Sequence, residues 1–149
     1  MTLCLARKTK QQNNFSTHLT PFFLKSIPMN KSLYFGTGAA VVTPFTTDLK
    51  VDFKSLQNLI NYLIDSDIGF LVVMGTTAES PTISVEEKKQ IFDCFVETVN
   101  GRVPLIMGLG GNDTMALQKA LQQVDTTGFS AILSVSPYYN RPTQEGIYQ

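Results

Sequence analysis

The stretch that opens on Phe70-Leu-Val-Val-Met74, runs through Ser84-Val-Glu-Glu87 and closes on Val103-Pro-Leu-Ile-Met107 decides the fold. Phe70 to Met74 are apolar without alternation, and Gly75 stops the run. A short apolar run of this kind is a strand buried on both faces. Ser84 and Glu87 have the spacing of a capping box, in which serine oxygen and glutamate satisfy each other's orphan amides. The helix they open carries Ile91, Phe92, Phe95, Val96 and Val99 on one face and stops at Asn100-Gly101. Val103 to Met107 reads as the next strand, with Pro104 tolerable only near its start. Strand, helix and strand in succession make a right-handed βαβ unit and a parallel sheet.

The same grammar extends in both directions. Upstream, Gly38-Ala-Ala-Val-Val-Thr43 is a strand closed by Pro44. Asp52 offers an N-cap, and Leu56, Leu59, Ile60, Leu63 and Ile64 form one helical stripe. Downstream, Gly108-Leu-Gly-Gly-Asn112 turns into a helix predicted to hold Ala116, Leu117, Ala120, Leu121 and Val124 inward and to end at Gly128. Ala131-Ile-Leu-Ser-Val135 is the fourth strand, followed by Ser136-Pro-Tyr-Tyr-Asn-Arg-Pro142. Strands thus start near residues 38, 70, 103 and 131. Two architectures suit this repeat: a small open α/β sheet, or a (β/α)8 barrel, which needs about 250 residues. The chain has 149 residues, supplies four βα units and stops a few residues into what reads as a further helix. The abrupt end at Gln149 fits a fragment better than a finished domain, so the expectation is an α/β fold, either the open sheet or part of a (β/α)8 TIM barrel.

Composition narrows the function classes. Apolar residues make up 43% and charged residues 16%, as in a globular chain. No run approaches the roughly 20 apolar residues of a membrane span. Cys4 and Cys94 match no metal or redox spacing, so a disulfide scaffold is excluded and a reducing, cytoplasmic setting expected. The formal charge is zero, which argues against nucleic acid. That zero is uneven: residues 1–47 carry five cations and no acid, and residues 48–149 carry seven cations and twelve acids. Residues 1–33 read as an irregular or extra N-terminal segment, and residues 34–149 as the partial barrel. Two readings of the N-terminal stretch stand open: a targeting segment, or residues upstream of a true start at Met29.

In either architecture ligands bind at the carboxyl ends of the strands. Four loops stand there: Thr43-Pro-Phe45, Gly75-Thr-Thr-Ala-Glu-Ser80, Gly108-Leu-Gly-Gly-Asn-Asp113 and Ser136-Pro-Tyr-Tyr-Asn-Arg141. The second offers two hydroxyls and successive amides, suited to a small carboxylate or phosphate, or else to a plain turn. The third lacks the lysine of a P-loop and reads as a glycine-permitted tight turn. Tyr138-Tyr139 could transfer protons, stack or anchor an interface. His18 lies in the N-terminal stretch, no metal-ligand cluster is present, and Cys94 reads as core.

Three of these stretches together resemble the 4-hydroxy-tetrahydrodipicolinate synthase (dihydrodipicolinate synthase) family: Gly36-Thr-Gly-Ala-Ala-Val-Val-Thr-Pro-Phe45, Gly75-Thr-Thr-Ala-Glu-Ser-Pro-Thr82 and Ser136-Pro-Tyr-Tyr-Asn-Arg-Pro-Thr-Gln-Glu-Gly146. The resemblance covers Tyr34 to Gln149, the N-terminal half of the family's barrel. It implies a lyase that condenses pyruvate with aspartate semialdehyde through a lysine Schiff base, on the route to lysine and diaminopimelate. It implies a homo-oligomer, a dimer of dimers, with no metal or cofactor and no nucleic-acid or membrane partner. Thr76 would join a proton relay of hydroxyls, which donate and accept at once. Tyr139 would be the relay member reaching into a neighbour's site. Thr77 would hold the pyruvate carboxylate, and Tyr138 would pack at the dimer interface. Ala78 stands where the family usually has glycine, and strains the turn if its φ is positive. Ala116 stands where feedback-inhibited members carry glutamate, four residues beyond Asn112, so lysine feedback is doubtful.

The resemblance places the Schiff-base lysine on a later strand, and Lys50, Lys54, Lys88, Lys89 and Lys119 all lie near or on helices. The chain alone is therefore expected to be inactive. Competing readings are a non-catalytic half-barrel that pairs with itself or with a separate C-terminal half, another pyruvate aldolase of the superfamily, and an open-sheet nucleotide binder resting on the glycines near 108.

Overall fold

The structure is a computed structural model that describes residues 33–148. The readings that fall on the N-terminal stretch, including Cys4, His18 and Met29, lie outside the described residues. Four strands form one sheet in the order β1-β2-β3-β4: β1 Gly38–Ala40, β2 Phe70–Val73, β3 Leu105–Gly108 and β4 Ala131–Leu133. All three pairings are parallel, with Ala40 beside Val72, Val73 beside Met107, and Met107 beside Ile132. The order never reverses. A doubly wound nucleotide-binding sheet needs such a reversal to open its crevice, so sequential neighbours favour a barrel segment.

The helices follow the expected local chemistry. Asp52 accepts the Ser55 amide at 3.0 Å and caps α1 (Phe53–Asp65). Ser84 and Glu87 form the capping box of α2 (Val85–Val99): the Glu87 amide donates to Ser84 Oγ, and the Ser84 amide donates to Glu87 Oε2, each at 3.2 Å. α2 ends with Asn100 in the left-handed region at φ 45°, followed by Gly101 at φ 72°. Leu71, Val73, Leu105 and Met107 form a dry layer on one face of the sheet, in one core with Leu56 and Ile60 of α1 and with Ile91, Phe95 and Val99 of α2. The register row Ala40, Val72, Ile106 and Ala131 on the other face is only partly covered. At the amino-end rim, Arg102 closes α2 and joins it to α1. Its Nε donates to the Val99 carbonyl at 3.2 Å, and its Nη2 to the Thr98 carbonyl at 2.8 Å and to Asn61 Oδ1 at 2.6 Å.

The structure corrects three expectations. The strands are shorter than their apolar runs. The β1 ladder extends past Ala40 only through the Val41 amide, which donates to the Val72 carbonyl at 3.1 Å, and Met74 leaves β2 at φ 57°. α3 spans Thr114–Gln123 and ends at Val124, not Gly128. The Asp125 side chain accepts the Thr127 amide at 2.8 Å, and such a local turn competes with further helix. α3 also buries none of its residues fully. Ala116 is exposed, and Leu117, Ala120 and Leu121 are half-covered. A short helix, α4 (Gln144–Tyr148), follows the last loop.

Gly108, the last residue of β3, serves close approach. A Cβ on Gly108 would lie 2.4 Å from the Met74 carbonyl oxygen and 2.8 Å from the Gly75 nitrogen. Backbone cannot yield as a flexible side chain can. Gly108→Ala is expected to destabilise the fold by about 1–3 kcal/mol, the usual range for overpacking, read from the urea midpoint at unchanged m-value.

The caps also set an acid limit. Asp52 has its pKa lowered by the Ser55 hydroxyl and then the Ser55 amide, and Glu87 by the Ser84 hydroxyl and then the Ser84 amide. A carboxyl with a depressed folded pKa contributes stability above its ordinary value and loses it as pH falls through the folded one. The thermal midpoint is expected to drop below about pH 4. The double variant Asp52→Asn, Glu87→Gln should show a flatter profile between pH 7 and pH 3.

Candidate active site

Parallel strands ending level bring their carboxyl-end loops into contact. After β2 come two 3-10 turns, Thr76–Ala78 and Ser80–Thr82. The Thr76–Ala78 turn is closed by the Ala78 amide on the Gly75 carbonyl at 3.1 Å and the Glu79 amide on the Thr76 carbonyl at 3.1 Å. Two non-glycine residues in the left-handed region bracket it, Met74 at φ 57° and Glu79 at φ 56°. Thr76 and Thr77 are exposed, and among the described residues neither hydroxyl has a hydrogen-bond partner. Two free hydroxyls on a fixed turn can receive a small anion or pass a proton.

Ala78 resolves the condition left by the sequence. It is not in the positive-φ region, and its methyl is buried at 2% exposure among core residues. It therefore does not strain the turn; the left-handed positions fall on Met74 and Glu79.

The loop after β4 carries Tyr138 and Tyr139, 60% and 88% exposed. Sequence reasoning missed what holds them. Asn112, in the loop after β3, accepts both backbone amides on one oxygen, Tyr138 at 2.8 Å and Tyr139 at 3.2 Å. Gly110 packs so closely against this segment that a Cβ would meet the Val135 nitrogen at 2.9 Å. An asparagine after a glycine pair signals a turn and gives no hint of a partner 26 residues away. The glycine loop therefore joins its neighbours on either side. It holds none of the positive-φ glycines that a sequence reading of a tight turn suggests.

The threonine loop and the tyrosine pair thus share one rim, linked through the loop after β3. The profile of the Dihydrodipicolinate synthetase family matches residues 33–149. The chain belongs to that family. It is 53% identical over 116 residues to 4-hydroxy-tetrahydrodipicolinate synthase of Flavobacterium psychrophilum, covering 78% of this chain and 40% of that one. It is 48% identical over 110 residues to the enzyme of the same name in Bacillus subtilis, covering 74% of this chain and 38% of that one. Among solved structures, the dihydrodipicolinate synthase of Thermotoga maritima matches with a TM-score of 0.74 at 39% identity, covering 78% of this chain and 39% of that one. The chain spans about 40% of the length of these relatives, and its four parallel βα units are half of the α/β barrel they share.

The other candidates fall away from this rim. Among the described residues no group of His, Cys, Asp and Glu could hold a metal ion, and no helix is long and apolar enough to cross a membrane. Lys54, Lys88, Lys89 and Lys119 stand on helices, and Lys50 pairs through its backbone with Thr46 in the connection before α1. Cys94 is 6% exposed on α2, and burial pushes its thiol pKa up, with a weak contact to Thr98 Oγ1 at 3.9 Å opposing. A buried, protonated thiol is a poor nucleophile. In a Cys4→Ser background, Cys94 is expected to react with a disulfide reagent on the order of a hundredfold slower in native buffer than in urea, because access needs local opening.

Proposed function

We propose that the chain carries one half of the active site of a pyruvate-dependent Schiff-base lyase of lysine and diaminopimelate biosynthesis, working in the cytoplasm. Its substrates are pyruvate and aspartate semialdehyde. One observation carries this reading: two exposed threonine hydroxyls on a fixed turn share a rim with a tyrosine pair held by Asn112. A lysine amine adds to the pyruvate ketone, water leaves, and the imine withdraws electrons from the methyl carbon. A methyl proton departs, and the enamine carbon attacks the aldehyde. Thr76 and Tyr139 carry the protons for these steps, Tyr139 from across an interface. Thr77 holds the pyruvate carboxylate through its hydroxyl and amide. Tyr138 packs between subunits of a dimer of dimers, where its exposed ring finds cover. The imine itself is the electron sink, so no cofactor or metal enters. The lysine belongs to the later βα units of the family's barrel, and residues 34–149 form the partial barrel.

The test is a chimera joining residues 33–149 to the later βα units of the Flavobacterium relative. It should condense the two substrates and form a pyruvate imine that borohydride reduces to a permanent adduct, whereas the 149-residue chain alone forms none. Thr76→Val and Tyr139→Phe should each lower kcat on the order of a hundredfold, the lower range for a lost proton-transfer group. Thr77→Val should chiefly raise the KM for pyruvate. Variants with native kinetics would sink the assignment. A second reading, a half-barrel that pairs with itself, is favoured by the partly covered row Ala40, Val72, Ile106 and Ala131. An inactive chimera together with a well-folded homodimer of the chain would select it.

A further inference from the structure

The threonine loop is short, is bracketed by two left-handed residues and has its catalytic candidates in solvent. Its own closing bonds are two weakly aligned 3-10 contacts. Something beneath must hold it. Among the described residues Thr43 is the buried polar one, 7% exposed, and its hydroxyl donates to the Ala78 carbonyl at 2.9 Å, 35 residues along the chain. Val41 and Thr43 are both buried while Val42 between them is exposed, so Thr43 sits on the core side of the sheet and not on the partly covered side. It is itself rigidly placed. The Val41 amide donates to the Val72 carbonyl at 3.1 Å, Pro44 fixes the next φ, and the Pro44 carbonyl accepts the Asp52 amide at 2.9 Å. Helix α1 is thereby anchored at its N-cap, the residue just before its first turn.

We infer that Thr43 is the positioning residue of the threonine loop: its hydroxyl pins the Ala78 carbonyl and so fixes where Thr76 and Thr77 present their hydroxyls and amides. The role rests on the proposed function only for what Thr76 and Thr77 do. Thr43 touches no reacting group. It acts by satisfying the carbonyl of a buried residue, which among the described residues accepts no other hydrogen bond. Without that donor, the carbonyl stays buried and unpaired or the turn opens to water. A valine has the same shape without the donor; a serine keeps the donor and loses a methyl.

Amide hydrogen exchange by NMR on the full chain tests this. Thr43→Val should speed exchange at Ala78 and Glu79, whose amides close the turn, roughly tenfold, the size of one lost hydrogen bond. It should leave Leu71 and Lys88 unchanged, and Thr43→Ser should restore the native rates. Unchanged exchange at Ala78 and Glu79 overturns the pin, as does a uniform acceleration that serine does not reverse. If the valine variant does not fold, the native chain decides: a slowly exchanging Thr43 hydroxyl proton supports the pin, and a hydroxyl in fast exchange overturns it. In the chimera, the pin predicts a several-fold rise in the pyruvate KM for Thr43→Val and recovery in Thr43→Ser. Loosened exchange with an unmoved KM would support the pin while overturning the role given to Thr77.

Discussion

Everything at the rim depends on how β2 and β3 end. Their parallel register sets Val73 beside Met107, and the next residues, Met74 and Gly108, meet backbone to backbone. A side chain on residue 108 would push the strands apart where both enter their loops. Beneath them Leu71, Val73, Leu105 and Met107 are buried with α1 and α2. Each strand therefore has little freedom to slide, since a one-residue slip would move its apolar set to the other face. The loops inherit that precision. The threonine turn starts from a fixed Met74, and the glycine loop passes the constraint on to the tyrosine pair through Gly110 and Asn112.

Strain and burial are divided among neighbours in the threonine loop. The left-handed positions go to Met74 and Glu79, and the buried position goes to Ala78. The exposed positions between them are left to Thr76 and Thr77. Met74 is buried in this unfavoured conformation, and its surroundings over-determine it, as held strain requires. Alanine at residue 78 is unstrained because its φ is not positive. The core reaches up into the loop there, so packing and presentation of the hydroxyls are one property.

Much of this was legible in the sequence. The capping box at Ser84 and Glu87, the Asp52 cap, the stop at Asn100-Gly101 and the thirty-residue period are local signals, and local hydrogen bonds obey them. The contents of the rim loops were legible too. Their mutual contacts were not. The Thr43 bond spans 35 residues and the Asn112 bonds span 26 and 27, and neither residue type announces a distant partner. The end of α3 was misplaced because Gly128 looked like a stop, while the Asp125 turn acted earlier. The apolar stripe of α3 is only half-covered: apolar spacing shows which face a helix offers, not how much of that face is covered.

The two rims of the sheet are held by different chemistry. At the carboxyl ends, single hydrogen bonds and glycine contacts join loop to loop. At the amino ends, the Arg102 fork ties the close of α2 to Asn61 of α1, far along the strands from either threonine. The chain thus keeps the fastening of α1 to α2 and the two exposed threonine hydroxyls at opposite poles. A substitution at Arg102 would therefore loosen the α1–α2 contact at the pole away from the threonine turn.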